Sequence, residues 1–254
     1  MRLVITADDL GMSPGVTSGV LSAHCDGVVR SASLLVTYPA SAEGAALARE
    51  RAPDLELGLH FDLVGGTPAS DPARVPSLID EDGRFLGLGA LARALYSGRV
   101  RGSEIAHELR AQVARAQEWG ITTDAWDSHR HTHALPLVSR VVGALAREHK
   151  VRWLRRPTAR WGGGKARALR AATFATLPFF RGIPGNEWYV DLSSSSLDAA
   201  GIALLAAHGG VGELGVHPGA EDAEGISRIR ELTTLTDPLL VAAIGRDTVS
   251  RRVG

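Results

Sequence analysis

Residues 3–11 read LVITADDLG. Leu3 to Ala7 is a short, apolar, β-rich run, closed by Asp8-Asp9 with Gly11 and Pro14 just beyond. This pattern predicts a parallel strand buried on both faces that empties into a loop carrying two carboxylates. Val16 to Cys25 then takes up helical spacing, with Val16, Val20 and Ala23 on one face.

The alternation continues along the chain. Ser31–Thr37, Leu55–Phe61, Ile121–Asp127, Val151–Arg155 and Val211–His217 read as strands. Ser41–Arg51, Ser103–Trp119, Leu137–His149 and Leu197–His208 read as helices. The clearest of these has Ser103 as N-cap, Glu104 in its first turn, and Ile105, Leu109, Val113 and Ala116 on one face. Strands alternating with helices imply βαβ units and a parallel sheet. The expected fold is therefore α/β, a distorted (β/α) TIM-like barrel forming a single domain over residues 1–254. Residues 65–89, rich in Gly, Pro and Asp, and residues 157–187, with Trp161 and a run of glycines, interrupt the rhythm. Long insertions of this kind on a parallel scaffold read as lids or substrate loops.

Composition narrows the function classes. Lys plus Arg and Asp plus Glu are both 28, so the formal charge is zero. No long run of one sign appears, which argues against nucleic acid or an anionic membrane as a partner. With one cysteine, Cys25, neither an intrachain disulfide nor a multi-cysteine zinc site can form. Cys25 is expected to fill a helix face as a small hydrophobe. No apolar stretch is long enough to span a membrane, and the first residues lack a signal-peptide pattern, so a cytoplasmic location is expected. A homo-oligomer stays open.

Chemistry gathers at the C-terminal ends of the expected strands, the end that carries sites in parallel α/β folds. Asp8-Asp9 follows the first, and His60 and Asp62 close the third. Asp127, His129, His131 and His133 follow Ile121–Trp126, Arg155-Arg156 closes the next, and His217-Pro218-Gly219 closes the last. Any one of these is equally a turn or a core residue; their agreement points to a site. Adjacent carboxylates beside histidines suit one divalent ion together with a base. Asp127 is a partner for the second nitrogen of a ligating ring.

TADDLG, GLHFDLVGGTP, DSHRHTH, RRP at 155–157 and ELGVHPG resemble, in order, the YdjC-like carbohydrate deacetylases, which include the chitooligosaccharide deacetylases. VPSLIDEDGRF at 75–85 and ELTTLTDP at 231–238 extend the resemblance from Leu3 to roughly Pro238. It implies a distorted barrel, one divalent metal ion (magnesium or zinc) and hydrolysis of the N-acetyl group of an amino sugar or glycoconjugate. It further implies Asp8 as base, Asp9, His60 and His129 as metal ligands, and His217 as acid. His131 or His133 stands as an alternative to His129. Arg155, Arg156 and Trp188 are expected at the substrate, with Arg155 or Arg156 alternatively orienting Asp8, and Trp161 and Tyr189 are further candidates for stacking on a sugar ring. Thr6 and Leu10 depart from the family's usual Asn and Phe around ADD, and GNEWYVDL after Pro184 does not align with its pattern; these departures bear on the substrate pocket. Two other readings are another metal hydrolase on the same scaffold, such as a phosphoesterase, and a sugar-binding protein without catalysis.

Overall fold

The computed structural model describes residues 2–122, 124–158, 164–244 and 250–251. Seven strands form its sheet: β1 (Arg2–Leu10), β2 (Ser31–Leu34), β3 (Glu56–Phe61), β4 (Ala125–Ser128), β5 (Trp153–Leu154), β6 (Trp188–Asp191) and β7 (Val211–Val216). Their order is β5-β4-β3-β2-β1-β7-β6, and every pairing is parallel. All C-terminal strand ends therefore open on one side. The helices are α1 (Pro14–Cys25), α2 (Ser41–Arg51), α3 (Leu88–Tyr96), α4 (Gly102–Glu118), α5 (Pro136–Glu148), α6 (Gly164–Thr176), α7 (Ala199–Ala206), α8 (Arg228–Leu235) and α9 (Pro238–Ile244). Among the described residues, no helix is long and apolar enough to cross a membrane.

Local sequence explains the entries into these elements. Ser13 caps α1 by accepting from the Val16 N–H, and Pro14 supplies a preset φ at the first turn. Pro136 does the same for α5, and Asp198 caps α7 through the Gly201 N–H. β1 is buried along almost its whole length because the sheet has cover on both faces.

The sheet is curled. Val4 of β1, Ala125 of β4, Trp153 of β5 and Val211 of β7 pack into one small cluster, although β1 and β4 lie three strands apart in the ladder. The strand ladder stops short of the closed barrel expected from sequence. Among the described residues β5 and β6 are the two edges of the sheet, and no ladder joins them. Other contacts bridge the gap. The Leu154 N–H donates to the Pro184 carbonyl (2.9 Å), and buried Asn186 exchanges hydrogen bonds with the Arg156 N–H (2.8 Å) and carbonyl (2.7 Å).

The described parts of the two interrupting stretches are ordered rather than open loops. Asp62 accepts from the N–H groups of Val64, Gly65 and Gly66 and from the Thr37 hydroxyl, so it ties down the start of the first stretch. Glu108 and Glu104 of α4 hold Ser70 and Ser77 further along. The second stretch contains α6 and leads into the strand β6, which the apolar pattern did not reveal because it is only Trp188–Asp191. Trp161 lies outside the described residues. Cys25, expected to be buried, is exposed at the end of α1.

Asn186→Ala should destabilise the fold by roughly 1–3 kcal/mol, because the Arg156 N–H loses its partner while the Arg156 carbonyl keeps only its bonds from Thr158. Urea unfolding monitored by circular dichroism checks this; a change under about 0.5 kcal/mol would show that the β5–β6 gap needs no bridge.

Candidate active site

Successive strand residues point to opposite faces, so Asp8 and Asp9 should not face one cleft. A bulge removes the difficulty. Ala7 pairs with Ala32 and Leu10 with Leu34, so β1 spends one residue more than β2 over this step. Asp9 takes a left-handed backbone (φ 65°), and Gly11 follows at φ 84°. Both carboxylates then line a cleft of about 760 Å³ that also contains His60, His129, Tyr189 and His217. The turn after His217 is set by α1, which it meets backbone to backbone: a Cβ on Gly19 would lie 2.3 Å from the Gly219 Cα.

Asp9 Oδ1 is the focus of two imidazoles. His129 Nδ1 lies 2.9 Å away and His60 Nε2 3.4 Å away. Asp9 Oδ2 is occupied by Arg228 (2.7 Å), so Asp9 has one oxygen to offer in this direction. His60 is oriented from behind, where its Nδ1 lies 2.6 Å from Asp127 Oδ1. His129 Nε2 faces Glu224 at 3.3 Å. Asp9, His60 and His129 place one ligand atom each within 4.8 Å of one another.

Asp8 is held differently. Arg155 grips it through two hydrogen bonds (2.6 and 2.8 Å) and also reaches Asp127 (2.9 Å) and Glu213 (2.9 Å). Such bidentate charge-assisted pairs fix orientation as well as charge. His217 Nε2 lies 3.9 Å from Asp8 Oδ2, while its Nδ1 faces Glu231 (3.8 Å) and Asp191 (4.0 Å).

Electrostatics follows from these contacts. Burial disfavours protonated rings, but the surrounding carboxylates outweigh it. His60 is raised to about 9 by Asp127, Asp8 and Asp9, and His129 to about 10 by Asp9 and Glu224. His217 is raised to about 10 by Glu231, Asp191 and Asp9 against the same desolvation. Asp9 goes the other way: its burial is overcome by His129 and His60, and it is held well below the usual carboxylate range.

This geometry fits a divalent ion. Beneath the cleft, the buried Arg155 and Arg251 link the buried carboxylates Asp8, Asp127, Glu213 and Glu56 by ion pairs, and buried Arg228 pairs with Asp9. A second grouping, Asp8, His60 and Asp127, is also compact. Arg155 already binds both of its carboxylates, and it shares His60 with the first group, so a second ion has no open ligand set there.

The other expected residues fall elsewhere. His133 is buried between the Ser128 hydroxyl (2.5 Å) and the Arg155 carbonyl (3.0 Å). Desolvation, with the charges of His131 and Arg155, lowers it to about 3. Both of its nitrogens are spent away from Asp9. His131 stands at the cleft wall, with Nε2 3.7 Å from Asp191. Arg155 is fully buried under Asp8 and does not reach the cleft surface. Arg156 and Trp188 were expected at the substrate, but they line a different depression outside this cleft. Trp188 covers Gly212 on the outer face of the sheet.

Sequence reasoning missed Arg228, Glu213, Glu231, Glu224 and Arg251. Glu213 had a signal, a charge inside the apolar run VGELGV. Arg228 had none, since it comes from a helix distant in sequence.

A family model described as "YdjC-like protein" matches residues 2–246. The chain is 37% identical over 250 residues to a carbohydrate deacetylase of Geobacillus stearothermophilus, covering 94% of this chain and 91% of the relative. It is 34% identical over 289 residues to the carbohydrate deacetylase of Homo sapiens, covering 98% and 88%. Among solved structures, a candidate cellobiose-phosphate cleavage protein from Enterococcus faecalis V583 superposes with a TM-score of 0.83 at 28% identity, covering 98% and 95%. The fold and the cleft are thus those of an α/β protein with its site at the strand ends. The chain belongs to the YdjC-like family.

If zinc binds through His60 and His129, both rings have to be neutral, so each gives up a proton that it holds up to about 9 and about 10. Affinity should therefore rise with pH between 6 and 8, with protons released on binding; calorimetry in buffers of different ionisation enthalpy reads both. In chelator-treated protein the same two rings stabilise the fold below their unfolded value near 6.5. That contribution is lost as pH climbs through about 9 and 10. Affinity flat across this range would contradict the assignment.

Proposed function

We propose that this protein is a metal-dependent carbohydrate deacetylase that hydrolyses the N-acetyl group of an amino sugar or glycoconjugate and releases acetate. The observation that carries this reading is the convergence of Asp9, His60 and His129 beside an Arg-clamped carboxylate and a histidine held protonated, within one cleft. Relatives named carbohydrate deacetylases, matched over nearly the whole chain, support it.

A divalent ion held by Asp9, His60 and His129 would polarise the acetyl carbonyl and make a water molecule more acidic. Two imidazoles and one carboxylate suit zinc, or another ion that accepts nitrogen ligands, better than magnesium. Asp8 takes the proton as water oxygen adds to the acetyl carbon and the carbonyl electron pair moves to oxygen. Arg155 keeps Asp8 in one orientation throughout. His217 donates its proton to the amide nitrogen as the C–N bond breaks, leaving free amine and acetate. Its raised pKa keeps that proton available at neutral pH.

An acid–base pair beside the ion favours hydrolysis over binding alone. The absence of a second open ligand set among the described residues disfavours the two-metal phosphoesterase reading. Acetate release from N-acetylglucosamine oligomers should require divalent metal and stop with excess chelator. Asp8→Asn should lower turnover at least about 100-fold while metal still binds, as expected for loss of a general base. Full activity in Asp8→Asn, or in chelator, would overturn the mechanism.

A further inference from the structure

Tyr189 of β6 is fully buried, and its hydroxyl has no hydrogen-bond partner among the described residues. Buried hydroxyls are normally paired, because an unpaired one costs folding free energy. Tyr189 also lines the cleft that holds Asp8, Asp9, His60 and His217.

The ring is fixed from several sides. The Arg155 guanidinium lies 5.3 Å from its centroid, and His131 meets it edge-on at 5.2 Å. Its hydroxyl end occupies the place where Gly215 lacks a side chain: a Cβ there would lie 2.2 Å from the phenol oxygen. Gly215 precedes His217 by two residues on β7, so the hydroxyl sits on the inner side of the sheet just below the acid. Arg155, under the ring, is the same group that clamps Asp8. Base, acid and phenol are thus set by one shared scaffold.

We propose that Tyr189 is a catalytic residue whose hydroxyl donates a hydrogen bond to the acetyl oxygen as it gains charge in the transition state. This rests on the deacetylase reading above. The phenol keeps its proton throughout. The electron pair of the carbonyl moves to oxygen as water adds, returns when the C–N bond breaks, and the hydrogen bond is strongest in between. Burial and the nearby Asp191 raise the phenol pKa well above its usual value, consistent with a neutral donor. An unpaired buried donor is what such a role leaves behind, since its partner arrives with the substrate.

The test is Tyr189→Phe, which removes one oxygen and keeps the ring. Acetate release from N-acetylglucosamine oligomers, zinc affinity and thermal unfolding are measured for both proteins. Expected are a fall in kcat of about 100-fold, at the low end for one oxyanion donor, with KM changed less than about threefold. Zinc affinity should match wild type. The melting temperature should be equal or higher, because the variant no longer buries an unpaired hydroxyl. A kcat within about threefold of wild type, a loss confined to KM, or a fall in zinc affinity or melting temperature that accounts for the loss would overturn the role. An inactive wild type would overturn the deacetylase reading and this inference with it, whereas an active wild type matched by Tyr189→Phe overturns this inference alone.

Discussion

Everything in the cleft depends on one extra residue in β1. Without the bulge at Asp9, strand alternation would turn one of the two adjacent carboxylates into the helix layer. Left-handed backbone is uncommon at a residue other than glycine, and such conformations persist where the surroundings enforce them. Here the enforcement is visible. Arg228 and His129 bind the two oxygens of Asp9, and Arg155 binds both oxygens of Asp8. The bulge separates two identical side chains into different environments, one facing imidazoles and one facing a guanidinium.

Burying so many charges together is tolerable only because they compensate one another. A lone buried carboxylate would shift its pKa and neutralise. Arg155 reaches three carboxylates from three different strands, and Arg251 inserts from below to meet Asp127 and Glu56. Gly58 leaves the room for it, since a Cβ there would lie 2.5 Å from the Arg251 guanidinium. The network fixes ligand orientation before any substrate or ion arrives, which is the condition for a precise metal site.

Much of this was legible in the sequence, and the reasons for the exceptions are physical. Apolar runs ending in Asp8, His60, Asp127, Arg155 and His217 placed the site at one end of a parallel sheet. Those residues do meet, save that Arg155 supports Asp8 from beneath. Spacing did not choose among His129, His131 and His133, because the segment is not extended. Arg130 and His131 are left-handed, so the three rings fan toward different neighbours. β6 escaped notice because four residues carry little periodicity, and with it went the setting of Tyr189 and Trp188. The alternation of strands and helices implied a barrel without fixing its closure: β5 is only two residues long and ladders with β4, while hydrogen bonds to Pro184 and Asn186 take the place of a β5–β6 ladder among the described residues. The charge-balancing arginines at 228 and 251 arrive from elements distant in sequence, and no local pattern announces such partners.

Anomalous diffraction from crystals grown with zinc would locate the ion itself. A single strong site per chain is expected, about 2.0–2.2 Å from Asp9 Oδ1, His60 Nε2 and His129 Nδ1. Zinc held instead by Asp8 and Asp127, or by His131 or His133, or no zinc in the cleft at all, would contradict it.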